Sequence, residues 1–392
     1  MSGEQLQVAA KDVLKEAGAG SALSPSGPAV TVWCLLGKKA GDNTQVLALA
    51  NQLGYGYVEK RIVARPWELL VHLGRQATLA GINRSASDAL HAPWPDLVIS
   101  AGRRNEPVAQ WIRAQSAGRS RLVHMGRPWA PLALWDLIIT TPQYNLPAQA
   151  NILHNRLPLH RLDAGALENA AKALRPKIAA LARPWICVLV GGDSGRFVLT
   201  PDKAANLGAL ASRLAQACGG SLLVTDSPRT PSAASDALSA ALTAPHVFHR
   251  HAAGGENPYR GFLASADAFV VTGESMSMLG EAAAMQRPLL IFDVGDGDVC
   301  WWRLAHGWRY KPLSHRLAMR FGPPRMQRDI GRIQASLVES GAAQWLSTAA
   351  IENGMAAAGV LESAPAGASK MGPENEDLKR AAIAVRLLLT AR

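Results

Sequence analysis

The feature that most constrains this chain occurs twice. A short, almost wholly apolar run ends in glycine, and a segment with helical periodicity follows. Ala29–Leu36 (AVTVWCLL) leads into Gly37 and then the helical stretch Thr44–Leu53. Trp185–Val190 (WICVLV) leads into Gly191-Gly192 and then the helical stretch Ala204–Cys218. A strand with no polar alternation has both faces covered, which is the situation of a parallel sheet between helical layers.

Further strand-like runs, some of them mixed in polarity, follow each start. In the first series Tyr57–Val63, Asp96–Ser100, Arg121–His124 and Asp136–Thr140 are predicted strands, and Trp67–Ser85 has helical spacing. In the second, Ser221–Thr225, His246–Arg250, Asp267–Val271 and Pro288–Phe292 are strands, with helices over Ser232–Thr243 and Met276–Met285. The alternation predicts an α/β chain of two Rossmann-like α/β/α domains facing a cleft. A length of 392 residues agrees, since one core seldom covers so much chain. The divisions fall at 1–28 (a leader), 29–160 (first domain), 161–183 (a linker helix), 184–312 (second domain) and 313–392. The last is a helical region with a flexible Gly/Ala/Ser/Pro-rich segment over 353–375, after which Asp377–Leu389 regains helical periodicity and docks on the body.

Composition narrows the setting. No apolar run reaches membrane-spanning length, and the first residues lack a secretory pattern, so a cytoplasmic protein is expected. The formal charge of +11 favours anionic partners, including the inner face of a membrane, but the arginines are scattered and do not form a nucleic-acid stripe. Cys34, Cys187, Cys218 and Cys300 form no metal or disulfide pattern, and Cys34 and Cys187 read as small buried thiols.

Ligands of open α/β sheets gather at the carboxyl ends of strands, so the candidate residues are sought there. Ala266–Phe292 is a strand, a turn through Thr272-Gly273-Glu274, and a helix opening at Ser275, Met276 and Ser277. Free N–H groups at such a helix start suit a diphosphate, and Glu281, one turn beyond Ser277, suits ribose hydroxyls. An ordinary capped helix is the competing account. Glu274 would oppose a phosphate unless it points away, binds a sugar hydroxyl or rests on an arginine. Gly191, Gly192, Ser194 and Arg196 follow one strand, and Thr225, Ser227 and Arg229 another; each set serves a ligand or a plain turn. Neither segment is a dinucleotide or Walker fingerprint. In the first half, Gly41, Asp42, Asn43 and Gln45 follow a strand. Asp42 or Asn43 caps the next helix, or Asp42 is a general base. Arg103, Arg104 and Arg127 sit at strand ends as anion holders or surface charges. Asp296-Gly297-Asp298 spells a metal-binding Asp-x-Asp but reads as a polar turn, so no metal is assigned.

The segments GKKAGDNTQ, DLVISAGRR, HMGRPWAPLALWDLIITTPQYNLP, NILHNRLPLH, LVGGDSGRFVLT, GGSLLVTDSPRTP and ENPYRGFLASADAFVVTGESMSMLGEA resemble the mitochondrial-fission "elongated mitochondria" family. Bacterial members of that family are catalogued as glycosyltransferases. More distantly, ADAFVVTGESMSMLGEAAAMQRPLLIF is similar to the donor segment of GT-B enzymes such as the peptidoglycan N-acetylglucosaminyltransferase. The resemblance implies a nucleoside-diphosphate sugar as co-substrate in the second domain, with no other cofactor, and a glycan or lipid-linked acceptor in the first. It places Asn257 with the donor residues. This chain departs from the family's usual Asp at Glu274, and from its second Arg at Pro228. The contrasting expectation is a non-catalytic binding or scaffold protein, with Trp301, Trp302, Trp308 and Trp67–Leu79 as contact surfaces.

Overall fold

A computed structural model describes residues 30–66, 70–73, 77–160, 162–194, 197–295, 320–323, 328–363 and 376–390. The 1–28 leader, Trp67, Gly74, Arg196, Asp296 to Asp298, Cys300, Trp301, Trp302 and Trp308 lie outside the described residues. The described residues fall into two compact units, one within 1–161, 323–329 and 374–392, the other within 162–322 and 330–373.

Unit 1 runs β1 (Val32–Leu36), α1 (Ala40–Leu53), β2 (Tyr57–Arg61), β3 (Leu97–Ala101), α2 (Glu106–Gln115), β4 (Arg121–Met125), β5 (Leu137–Thr140) and β6 (Ile152–His154). Its sheet is parallel, in the order β2-β1-β3-β4-β5-β6. Successive residues of β1 face opposite layers. Val32 and Cys34 join Val46 and Leu49 of α1, while Trp33 and Leu35 join Val108 and Ile112 of α2. That two-sided covering is why the strand has no polar alternation. Burial pushes the Cys34 thiol up to about 12, which keeps it unreactive.

Unit 2 runs α3 (Ala164–Ile178), β7 (Trp185–Leu189), α4 (Pro201–Ala217), β8 (Ser221–Thr225), α5 (Ser232–Ala241), β9 (His246–His249), α6 (Tyr259–Ser265), β10 (Ala268–Thr272), α7 (Met276–Ala284) and β11 (Leu289–Phe292). It continues through α8 (Gly331–Glu339), β12 (Gln344–Trp345), α9 (Thr348–Glu352) and α10 (Met355–Ser363). The strand order is β12-β11-β10-β7-β8-β9, again all parallel. The start of α4 matches its sequence: Thr200 accepts from Lys203 N, and Pro201 occupies the first helical position. Each sheet reverses its order once, between β1 and β3 and between β7 and β10, which opens a crevice at the carboxyl ends of those strands.

The structure departs from the sequence expectation in several places. The described residues of Trp67–Ser85 form no α-helix: they hold a 3-10 turn at Leu70–Leu73, then turns. There the backbone pairs sideways, with Arg65 N donating to Gly81 O and Asn83 N to Val63 O. Strands β6 and β12 were not anticipated, being too short to show a period. Helix α10 occupies part of the segment expected to be flexible, because Ala356, Ala357 and Val360 pack into the unit 2 core.

Helix α11 (Glu376–Thr390) forms where its periodicity predicted a helix, and it packs on unit 1, which the sequence did not single out. Its Leu378, Ala381, Val385 and Leu389 join the core beneath α1. Asp377 pins its start, accepting from Arg156 N at 2.8 Å and Leu157 N at 3.2 Å. Asp377→Ala removes both bonds from part-buried donors, at a cost of about 1 kcal/mol. Urea denaturation followed by unit 1 tryptophan fluorescence should show the lower midpoint; an unchanged midpoint would remove the pinning role.

Candidate functional site

The unit 2 crevice is built from the loop after β7, the turn after β8 and the β10–α7 turn. Gly191 N donates to Thr272 Oγ1 at 2.8 Å, and Gly192 N to Glu274 Oε1 at 2.7 Å. Glu274 is fully enclosed, and burial raises its pKa although Arg229 pulls the other way. The Arg229 guanidinium stands 3.7 Å from Glu274, donates to Asp193 O at 3.0 Å and reaches Ser275 Oγ at 3.3 Å. Of the three ways that Glu274 can coexist with an anion, the structure takes the third. It rests on an arginine.

These contacts also explain the glycines. A Cβ on Gly191 would lie 2.1 Å from Glu274 Oε1, and one on Gly192 (φ +117°) 2.4 Å from Arg229 O. At Gly273 a Cβ would meet Gln334 Nε2 at 2.4 Å. The close approaches that need glycine are therefore made by the protein's own groups.

Ser275 occupies the cap position of α7 without a side-chain cap bond. Among the described residues no acceptor takes the backbone N–H of Met276, Ser277 or Met278, and Ser277 is exposed. The helix start thus keeps donors and the positive end of its dipole available. One turn on, Tyr259 Oη donates to Glu281 Oε2. Burial raises the Glu281 pKa, with Tyr259 and Arg260 lowering it again.

The remaining expected residues of this unit do structural work. Thr225 Oγ1 donates to Asp226 O, Ser227 Oγ to Gly191 O, and Asn257 Oδ1 accepts from Tyr259 N. The backbone of Ser194 pairs with Phe197. Sequence reasoning missed Tyr259 and Asp193, whose partners lie 22 and 36 residues away. No local spacing announces such contacts.

In unit 1 the helix α1 opens at Ala40, so the cap position is Lys39, and neither Asp42 nor Asn43 caps it. Asn43 instead braces the preceding loop, accepting from Gly37 N and donating to Gly37 O, both at 2.9 Å. Asp42 lies in the first turn, its Oδ2 2.7 Å from where a Gly102 Cβ would be (φ +72°). Asp42 therefore stands in the crevice between β1 and β3. Gln45 leans back on Gly41 O at 3.4 Å. Arg103 lies over the Trp129 ring at 4.9 Å, Arg104 is partly buried beside it, and Arg127 donates to Tyr144 O.

A buried carboxylate, missed in the sequence, organises this rim. Glu106 accepts from Trp129 N at 2.9 Å and Ala130 N at 2.8 Å, holding the loop that carries Arg127. The Asn105-Glu106-Pro107 start of α2 was the available signal. Burial pushes Glu106 up to about 7, against the pull of those amides and Arg103. His124 stands behind it at 4.0 Å, with burial pushing it down to about 3, so the imidazole is neutral and bonded to Ser100 Oγ at 3.0 Å.

Two outcomes follow from these contacts. Gly191→Ala drives a methyl into Glu274 and should destabilise the protein by roughly 1–3 kcal/mol. Calorimetry on the variant checks this, and an unchanged melting temperature would contradict the packing. For Glu106 the folded pKa, about 7, lies above the ordinary 4.5, so the neutral carboxyl favours the fold. That contribution is lost as pH rises through about 7. Wild type should lose up to roughly 3 kcal/mol relative to Glu106→Gln over that interval, measured by denaturant melts at each pH. Parallel pH profiles would show that the carboxylate is not penalised.

Residues 40–348 match the family model for mitochondrial fission ELM1. A mitochondrial fission protein ELM1 from Arabidopsis thaliana is 29% identical over 255 residues, 59% of this chain and 58% of that protein. The match thus spans less than two thirds of the plant relative's length. An uncharacterized protein of Rickettsia prowazekii is 24% identical over 304 residues, 67% of this chain and 83% of its own. Among solved structures, a UDP-GlcNAc 2-epimerase from Neisseria meningitidis bound to UDP-GlcNAc is 13% identical, with a TM-score of 0.49 and coverage of 92% of this chain and 100% of that one. A UDP-glucosyltransferase from Polygonum tinctorium is 10% identical, with a TM-score of 0.44 and coverage of 94% and 100%. On the extent of the family match, this chain belongs to the mitochondrial fission ELM1 family.

Proposed function

We propose that this protein is a glycosyltransferase that takes its sugar from a nucleoside diphosphate bound in unit 2. The observation that carries the reading is the open start of α7: three backbone donors without acceptors among the described residues, beside the Arg229 guanidinium and one turn from Glu281. Donors and a cation fixed before the ligand arrives bind a diphosphate and stabilise charge as it departs. Glu281 then accepts from the ribose hydroxyls with the oxygen that Tyr259 leaves. Thr272 and Glu274 act from behind, by holding the Gly191–Gly192 loop against the turn.

The acceptor belongs to unit 1 in this reading. Asp42 is the base that removes the acceptor proton, and Arg103, Arg104 and Arg127 draw the rim toward an anionic surface such as a membrane-linked glycan. No helix among the described residues is long and apolar enough to cross a membrane.

A second reading, a nucleotide-sugar-binding protein without turnover, is favoured by one observation. Among the described residues no hydrogen bond orients the Asp42 carboxylate, whereas general bases are commonly held by one.

Thermal shift of the full chain against uridine, guanosine and adenosine diphosphates, free and sugar-linked, tests the donor site. One of them should stabilise wild type by about 2.7 kcal/mol at a hundredfold excess over Kd. Arg229→Ala and Glu281→Ala should each weaken that response about tenfold. A wild type indifferent to every nucleotide ends the reading. Sugar release or transfer by the liganded protein separates the enzyme from the binder.

A further inference from the structure

The carboxyl ends of β4, β5 and β6 enclose a recess that the donor site does not use. Its polar lining comes from Gln45, Thr140, Thr141, Gln143, Tyr144 and Asn155, and no lining residue carries a charge. Its volume is about 20 Å³, room for a single water-sized group.

Some of this lining is already engaged. Gln143 Nε2 donates to Thr141 Oγ1 at 2.9 Å, and Gln143 Oε1 accepts from Arg328 Nε at 2.6 Å. Three polar atoms are not: Thr140 Oγ1, Asn155 Nδ2 and Asn155 Oδ1 are buried without a partner. Thr140 is 1% exposed and Asn155 2%, and Asn155 N donates to Thr140 O at 2.8 Å, so the two residues are locked side by side. An amide that buries both its donor and its acceptor unused, next to an unused hydroxyl, is costly unless something enters to meet them.

The chemistry of the visitor follows from the lining. It must donate and accept at once, as a hydroxyl or carboxamide does. A carboxylate or phosphate would lose its water with no cation in the wall itself, since Arg328 stands one layer back and is bonded to Gln143. Gln45 lies three residues after Asp42 on α1, one turn along the same side, so a molecule whose tip fills the recess extends toward that carboxylate.

We propose that this recess is a binding subsite for an uncharged, hydroxyl- or carboxamide-bearing ligand of the neutral glycoside class, recognised by Thr140 and Asn155. Calling that ligand the acceptor rests on the transferase reading; the recess itself does not.

Saturation-transfer NMR on the full chain, with methyl β-glucoside, methyl N-acetyl-β-glucosaminide and galacturonate as probes, tests it. Wild type should bind a neutral glycoside in preference to galacturonate. Thr140→Val and Asn155→Leu each remove unpaired atoms at similar volume. Both should melt at or above the wild-type temperature and bind the glycoside at least tenfold more weakly, with any nucleotide response intact. Thr140→Val decides alone if Asn155→Leu does not fold. The proposal falls if wild type binds neither glycoside, or prefers galacturonate, or if the variants bind as wild type does. Lower melting temperatures with unchanged glycoside binding would mean that an ordered water fills the recess, and would overturn it too. Glycoside binding that meets these conditions while no nucleotide stabilises the protein leaves this subsite standing and removes the donor reading.

Discussion

Where a parallel sheet reverses its strand order, two neighbouring carboxyl ends are left without a crossover above them, and their backbone groups must find partners elsewhere. Both units meet this demand with side chains from the adjoining turn. In unit 1 the partners are neutral amides: Asn43 closes on Gly37, and Asn105 Nδ2 donates to Leu35 O at 3.0 Å. In unit 2 they include a buried carboxylate, since Glu274 takes the Gly192 amide and needs Arg229 beside it. The same requirement is met with different chemistry: uncharged amides brace the strand ends of one unit, a carboxylate with its arginine those of the other.

That difference bears on what each crevice can hold. The Arg229 guanidinium is shared between Glu274, Ser275 and the Asp193 carbonyl, so its position is set before any ligand is present. An anion arriving at α7 meets a fixed cation and fixed amides, with little left to reorganise. In unit 1 the rim depends on Glu106, which holds the Trp129–Ala130 amides while buried against a neutral His124. The shape of that rim rests on a carboxylate that is only half ionised near neutral pH.

The architecture was legible because apolar runs covered on two faces leave an unmistakable pattern: VWCLL, WICVL, AFVVT and LLIF are all observed strands. Carboxyl-end loops could be listed from those strands alone, and Ser275 does head the helix assigned to it. What the sequence could not reveal were partners remote in the chain. Gly191 and Gly192 suggested room for a ligand, yet Glu274 and the Arg229 backbone fill that room, from residues far along the sequence. Tyr259 on Glu281 and Asn155 beside Thr140 are of the same kind. The Trp67–Ser85 spacing misled because apolar residues at helical intervals can also come from turns folded over a core. Leu79 and Ile82 are buried there without a helix.

The return of α11 to the first unit has a consequence for how the protein is made. Residues 376–390 supply Leu378, Ala381, Ala382 and Val385 to a core whose other members, such as Val32 and Leu49, leave the ribosome more than three hundred residues earlier. Unit 2, which lies between them in sequence, can collapse while translation continues. The amino-terminal lobe must wait, with an apolar face uncovered, until its last wedge has been synthesised, and that interval is when a chaperone has most to offer.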